Sequence, residues 1–237
     1  MTAKVKVFSA VDDKEATSKY LEGYQKVLEA YGVPKVTSAQ SNWIDNPHAY
    51  VILITDEDES KILAGGRIQV RTPKAPMPME MAIAILDKSI YPYVDAIGDF
   101  NVAEFCGLYN SKEVAGLGIG SIMLGRIGVA ITEQLGIKNL MALCSPATLR
   151  NCLKVGFEPI KSLGNNGTLY YPKEDLVATA LIIQDIINLP QANPEERKEI
   201  FKLRSGPADI AVLHGPKGEV KFHYNLTIPQ VYTADVY

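Results

Sequence analysis

The sequence has three cysteines in 237 residues, Cys106, Cys144 and Cys152. An odd, sparse set inside apolar segments is not a disulfide framework and fits a reducing compartment. The three histidines, His48, His214 and His223, have no metal-ligand spacing to one another or to a cysteine, so no metal site is expected. Gly-Lys-Ser and Gly-Lys-Thr are absent, which rules out a Walker loop. Gly-x-Ser-x-Gly is absent too, so there is no hydrolase nucleophile elbow. No uncharged apolar run is long enough for a membrane span, and the N-terminal residues lack the apolar core of a signal peptide. The expected location is the cytoplasm. The formal net charge is -3 with no basic stripe, which argues against a nucleic-acid binder.

Hydrophobic residues make up 47% of the chain and charged residues 22%, enough apolar matter for a sizeable core without staples. Residues 4–11 alternate as a strand. Residues 12–32 carry Tyr20, Leu21, Tyr24, Val27, Leu28 and Tyr31 at helical spacing, with Asp12 or Asp13 as cap and Gly32 as stop. A loop with the only tryptophan, Trp43, follows. Residues 49–55 and 61–72 predict a hairpin around an acidic turn, with a bulge or a close ligand approach at Gly65 and Gly66. Residues 79–98 predict one helix that gives way to a loop at Pro92. A strand over 100–110, a glycine-rich turn, a helix ending at Gly136, a strand over 138–145 and a short helix over 146–156 come next. Residues 157–164 and 166–172 predict two closing strands around an Asn-Gly turn. Later, residues 176–189 read as a strand running into a short helix. Residues 193–206 read as a capped helix, and 218–229 as a strand.

Glu113 to Ile131, EVAGLGIGSIMLGRIGVAI, sets three glycines at alternate positions just before an apolar helix. Strand, glycine turn and helix together form a common phosphate cradle, since free N–H groups and the helix dipole converge there. A dinucleotide fingerprint fits poorly because Ser121 stands where its third glycine belongs. A plain tight turn stays open on these residues alone. The stretch Ala115–Ser121 resembles the pyrophosphate loop of the GCN5-related N-acetyltransferase (GNAT) superfamily, Arg/Gln-x-x-Gly-x-Gly/Ala, with Gly118 and Gly120 in register and Ala115 in place of the Arg or Gln. A second GNAT motif, Asn-x-x-Ala-x-x-x-Tyr-x-x-x-Gly-Phe, is similar to residues 145–157. Gly156-Phe157 ends it, Ser145 replaces its Asn and Cys152 its Tyr. The order of elements over residues 4–172 agrees. The inserted helix and C-terminal residues resemble the N-acyl amino acid and acyl-homoserine-lactone synthase branch.

The resemblance implies an α/β fold, with a mixed, mostly antiparallel central sheet flanked by helices. It divides the chain into an acyl-CoA-binding domain, 1–174, with an insertion at about 73–98, and an extension, 175–237, packed on it. It implies acyl transfer from acetyl-CoA or a longer acyl-CoA, as co-substrate and without metal, to a small amine or amino-acid-like acceptor. A homodimer is an open option. The N–H groups of Leu117, Gly118, Ile119, Gly120 and Ser121 would hold the pyrophosphate. Cys106, Gly107 and Leu108 would run beside the pantetheine, up to Tyr109, and Ser145 would face that arm. Glu104 stands where many members keep a base; the alternative is a hydrogen-bonded strand residue. Cys152 would be the acid in the tyrosine's place, or else a buried small hydrophobe, with Tyr109 or Tyr170 as substitutes. A module that binds acyl-CoA without catalysis is the competing reading.

Overall fold

Alternation in the first strand and a helix tucked under it begin the architecture. The computed structural model describes residues 1–33 and 36–233, so Pro34 and Lys35 of the expected loop lie outside the described residues. Strand β1 (Thr2–Ser9) buries Ala3, Val5 and Val7, while Lys4 and Lys6 stay half-exposed. Asp13 caps helix α1 (Lys14–Ala30) by accepting the Ala16 N–H at 2.9 Å. Tyr20, Leu21 and Tyr24 are buried as their spacing predicts, whereas Tyr31 falls past the helix end and is exposed. Strands β2 (Ala49–Asp56) and β3 (Ile62–Val70) form the expected hairpin. The close neighbours of Gly65 and Gly66 are the chain's own rings, Tyr20 and Phe105.

The inserted segment differs from expectation. It holds two helices, α2 (Pro78–Ala84) and α3 (Ile90–Ile97). Asp87 accepts the Ser89 N–H at 2.9 Å and breaks the run between them. Pro92 sits in the first turn of α3, where no intrahelical donor is needed. Arg71 ties both helices to the end of β3 through Glu80, Asp95 and Asp99 at 3.1, 2.6 and 2.7 Å.

The chain then forms β4 (Val102–Asn110), α4 (Ser121–Ile131), β5 (Asn139–Cys144), α5 (Pro146–Lys154), β6 (Glu158–Pro159), β7 (Thr168–Tyr170), β8 (Val177–Ile183), α6 (Pro194–Ser205), β9 (Ala208–Gly215) and β10 (Gly218–Asn225). All ten strands join one sheet in the order β6-β8-β5-β4-β3-β2-β1-β10-β9, with β7 also on β8. Only β4 with β5 and β1 with β10 run parallel.

Residues after 174 therefore supply three strands of this sheet. The two closing strands expected to pair with each other do not: β6 and β7 both pair with β8. Strand β6 is an edge strand, where Pro159 is tolerated; Ile160 still donates to the Ala180 carbonyl at 2.9 Å, and the chain then turns as the Leu163 N–H bonds the Ile160 carbonyl at 3.0 Å. After β8 come turns, without the expected short helix. Strand β9, with Ile210 and Val212 exposed, had no clear alternation to reveal it.

Helix α1 with Trp43 covers one face of β1–β4, and α2 and α3 cover β4, β5 and β8. On the opposite face α4 buries Met123, Leu124, Ile127, Ala130 and Ile131. Helix α6 packs on α4 through an Arg126–Glu196 ion pair.

Candidate active site

A parallel pair that comes apart defines the site. Strands β4 and β5 pair only at Val102–Asn139, Ala103–Leu140 and Glu104–Met141. Beyond Glu104, β4 has no β5 partner among the described residues, while its other edge stays paired to β3 up to Asn110. Glu104 thus stands at the apex of a fork. It is 2% exposed, and one carboxylate oxygen accepts the Met79 N–H at 2.7 Å. Burial is the largest cause raising its pKa to about 7, offset in part by that hydrogen bond and by the Arg67 charge. The sequence left open whether this carboxyl lies on a solvated face; it is buried.

Below the fork, Cys106 is buried, and burial pushes its thiol up to about 12. The Gly107 carbonyl accepts the Tyr20 hydroxyl at 2.8 Å. A register shift against β3 falls at this point, so Leu108 turns toward the core on the α4 side. Tyr109 stays among the α1 aromatics, its hydroxyl against Gly23 and without a partner among the described residues. Burial holds that phenol well above its ordinary range.

The glycine turn closes the open end of β4. Gly116 and Gly118 both adopt φ +86°, a conformation that a side chain would strain. Leu117 departs from expectation: its N–H is spent on the Val114 carbonyl at 3.1 Å. The cradle begins one residue later. Among the described residues, the N–H groups of Gly118, Ile119, Gly120 and Ser121 have no protein acceptor, at the N-terminus of an eleven-residue helix. The Ser121 hydroxyl accepts from Asn151 of α5 at 2.7 Å, a link not anticipated from the sequence.

The β9–β10 hairpin reaches this turn from the far edge of the sheet. The Lys217 N–H donates to the Gly116 carbonyl at 2.9 Å. The Lys217 stem lies over Gly116, where a Cβ would be 2.9 Å from its Cγ. A Cβ on Gly215 would sit 2.3 Å from the Gly116 oxygen, so only glycine permits this approach.

Ser145 is exposed at the end of β5. Cys152, partly exposed, shares a hydrogen bond with Cys144 that holds the Cys152 thiol below its ordinary value. The same bond, with burial, pushes Cys144 up. His48 is buried with its ring edge-on to Phe100 at 5.4 Å. Among the described residues no cluster of His, Cys, Asp and Glu stands close enough to hold a metal ion. No helix there is long and apolar enough to cross a membrane. A cavity of about 630 Å³ opens between Thr37, Gln40, Ala82 and Leu86 on one side and Tyr170–Glu174 on the other.

No protein-family model and no curated protein matches this sequence. Solved structures do. FeeM, an N-acyl amino acid synthase from uncultured soil microbes, matches at TM-score 0.56 and 13% identity over 83% of this chain and 94% of that one. BjaI, a CoA-dependent acyl-homoserine lactone synthase solved with SAM and isopentyl-CoA, matches at TM-score 0.52 and 14% identity over 94% and 96%. This is a GNAT-like fold. The AHL synthase LasI also shares it, at TM-score 0.52 and 14% identity over 80% of this chain and 92% of that one. At such identities the likeness is one of backbone architecture. In this GNAT-like sheet the fork at Glu104 and the turn at Gly118 occupy the two ends of one strand.

Proposed function

We propose that this chain is an acyltransferase that moves an acyl group from acyl-CoA to the amine of a small, amino-acid-like acceptor. The observation that carries the reading is the strand between two chemistries: unspent N–H groups at one end of β4 and a carboxyl raised to about 7 at the other. The first suits a pyrophosphate. The second suits a general base working near neutral pH. The open edge of β4 between them suits the amide-bearing pantetheine, through Cys106, Gly107 and Leu108.

In the reaction the amine gives a proton to Glu104, and its nitrogen attacks the thioester carbonyl. A C–N bond forms, the C–S bond breaks, and the thiolate takes a proton. Cys152, with its loosened proton, suits that last step better than Tyr109, whose hydroxyl is buried against α1. Lys217 offers the cation that Ala115 does not. The cavity beside Tyr170 has room for an acyl chain or an acceptor side chain. FeeM and BjaI, by their names, make N-acyl amino acids and acyl-homoserine lactones, and BjaI is CoA-dependent, which supports an acyl-CoA donor in this reading.

The test is a thermal-shift titration with coenzyme A, followed by thiol release across amines with acetyl-, octanoyl- and palmitoyl-CoA. Expected are a rise in melting temperature and acceptor-dependent release. No rise with any of these ligands overturns the reading. A rise with no release for any amine reassigns the chain to the class of non-catalytic acyl-CoA-binding modules.

A further inference from the structure

Among the described residues Arg67 is the largest side chain buried below 2% exposure, and its Nε and both terminal nitrogens have no oxygen acceptor there. A guanidinium buried without an oxygen acceptor is unusual, because buried charges are ordinarily paired. Two neighbours lie close: the Trp43 ring, whose centre is 4.1 Å from the guanidinium carbon, and the Cys106 thiol directly opposite, which interacts with the guanidinium. The ring occupies a face of the planar group and sulfur is only a weak acceptor, so the forked N–H edge has no oxygen to bind among the described residues.

The register places this edge. Arg67 lies opposite Cys106, and Gln69 lies opposite Glu104. Directly opposed residues, and residues two apart on a strand, share a face of the sheet. Arg67 and Glu104 are therefore diagonal neighbours on one face, a relation that sets Cβ atoms about 7–8 Å apart. Gln69 beside them donates to the Pro76 carbonyl at 2.9 Å and keeps its own side-chain oxygen unpartnered. The group thus holds a base, an unused bidentate donor and an unused acceptor.

We propose that Arg67 binds the α-carboxylate of the acceptor, and so restricts the acceptor to α-amino acids and their close derivatives. The claim rests on the acyltransfer reading above. An α-amino acid carries its amine and carboxylate on one carbon, so a carboxylate held by Arg67 brings the amine toward Glu104. The forked edge matches a carboxylate with two parallel hydrogen bonds. The Gln69 oxygen can accept from the ammonium before its proton leaves. The cavity is lined by the segments that carry this group, though by none of Glu104, Arg67, Gln69 and Trp43 themselves. Trp43 belongs to the segment whose Thr37 and Gln40 line it, and Met79, which holds Glu104, lies one helical turn before the lining Ala82.

The test compares α-amino acids with matched amines that lack only the carboxylate, such as tyrosine with tyramine and leucine with isopentylamine. The readouts are thiol release and product mass in the wild type and in Arg67→Met and Arg67→Lys. The expected wild type prefers each amino acid by about 100-fold or more in kcat/KM, as for other buried charge pairs. Arg67→Met should erase that preference, and Arg67→Lys should restore part of it. Melting temperature separates function from folding. Measured below pH 7, where Glu104 keeps its proton, removing a buried charge that no oxygen answers should leave the melting temperature equal or higher, and coenzyme A should still raise it. Equal use of amine and amino acid by the wild type overturns the proposal. So does a preference that survives Arg67→Met, or a marked drop in that variant's melting temperature, which would make Arg67 a structural group. No acylation of any amino acid, while coenzyme A still stabilises the protein, overturns it and leaves acyl-CoA binding intact. No stabilisation and no thiol release takes the acyltransfer reading down with it.

Discussion

The glycine turn and the cluster around Glu104 sit at opposite ends of β4 and use opposite means. The turn presents backbone N–H groups near the surface, while its side chains anchor it, Ile119 in the core and Ser121 on Asn151. The cluster is made of buried side chains, Glu104, Arg67, Gln69 and Trp43, drawn from three segments of the chain. A backbone site depends on conformation, so a change there should act on affinity. A side-chain site depends on protonation and charge, so a change there should act on turnover and selectivity.

The largest effect expected at one end alone is from Glu104→Gln. It should lower kcat by about 100-fold or more, the usual scale for a general base, with coenzyme A affinity unchanged. The wild-type rate should rise with pH through about 7, as Glu104 loses its proton, and this limb should vanish in the variant. The same carboxyl should mark stability. Its folded pKa is raised, so its stabilising contribution is complete below the ordinary carboxylate range and is lost as pH rises through about 7. Melting curves from pH 4 to 8 should show that loss in the wild type and less of it in Glu104→Gln. An unchanged rate removes Glu104 from the role.

Next in size is Gly215→Val. It should push the hairpin off the Gly116–Gly118 backbone and weaken coenzyme A binding by about tenfold, the scale of one lost charge-assisted contact. Calorimetry reads this directly, and kcat at saturation should stay within about twofold, since the proton-transfer groups are untouched. A large fall in kcat would show that the two ends are coupled. Cys152→Ala should slow turnover by only about threefold, because a thiolate with a thiol pKa near 8.5 leaves at little cost. No change at all would transfer the acid role to water. The smallest effect, about twofold in affinity, is expected from Lys217→Ala, the scale of an exposed ion contact. It should shrink further at high salt, as a solvated charge contact does. A salt-independent loss would instead point to the packing of the lysine stem on Gly116.

What was legible in the sequence follows the same division. Glycines at 116, 118 and 120 before an apolar helix announce a turn that is backbone conformation, so pattern alone reaches its geometry. Glu104 was reachable through the resemblance. Arg67 was not, because its meaning depends on lying opposite Cys106 across a register shift, and strand pairing does not show in one strand's alternation. Trp43 was visible as a singular residue, but its contact with Arg67 required the fold. The hairpin on the turn was hidden too. Strand β9 exposes Ile210 and Val212, so its pattern lacked the buried stripe that marks a strand. Strand β6 stopped short because the chain turns at Ile160, whose carbonyl accepts the Leu163 N–H at 3.0 Å, and the apolar residues around it did not announce that turn.

Strand β1 pairs in parallel with β10, Thr2 with Lys221 through Lys6 with Asn225. During translation, β1 and β2 can meet early, but the outer edge of β1 must wait until nearly the whole described chain has left the ribosome. For that interval the nascent protein carries an open strand edge, with Lys4 and Lys6 as its guard against other strands. Helper proteins that shield exposed strands, and slow completion of the last segment, should therefore govern the yield of folded protein more than the stability of the finished sheet does.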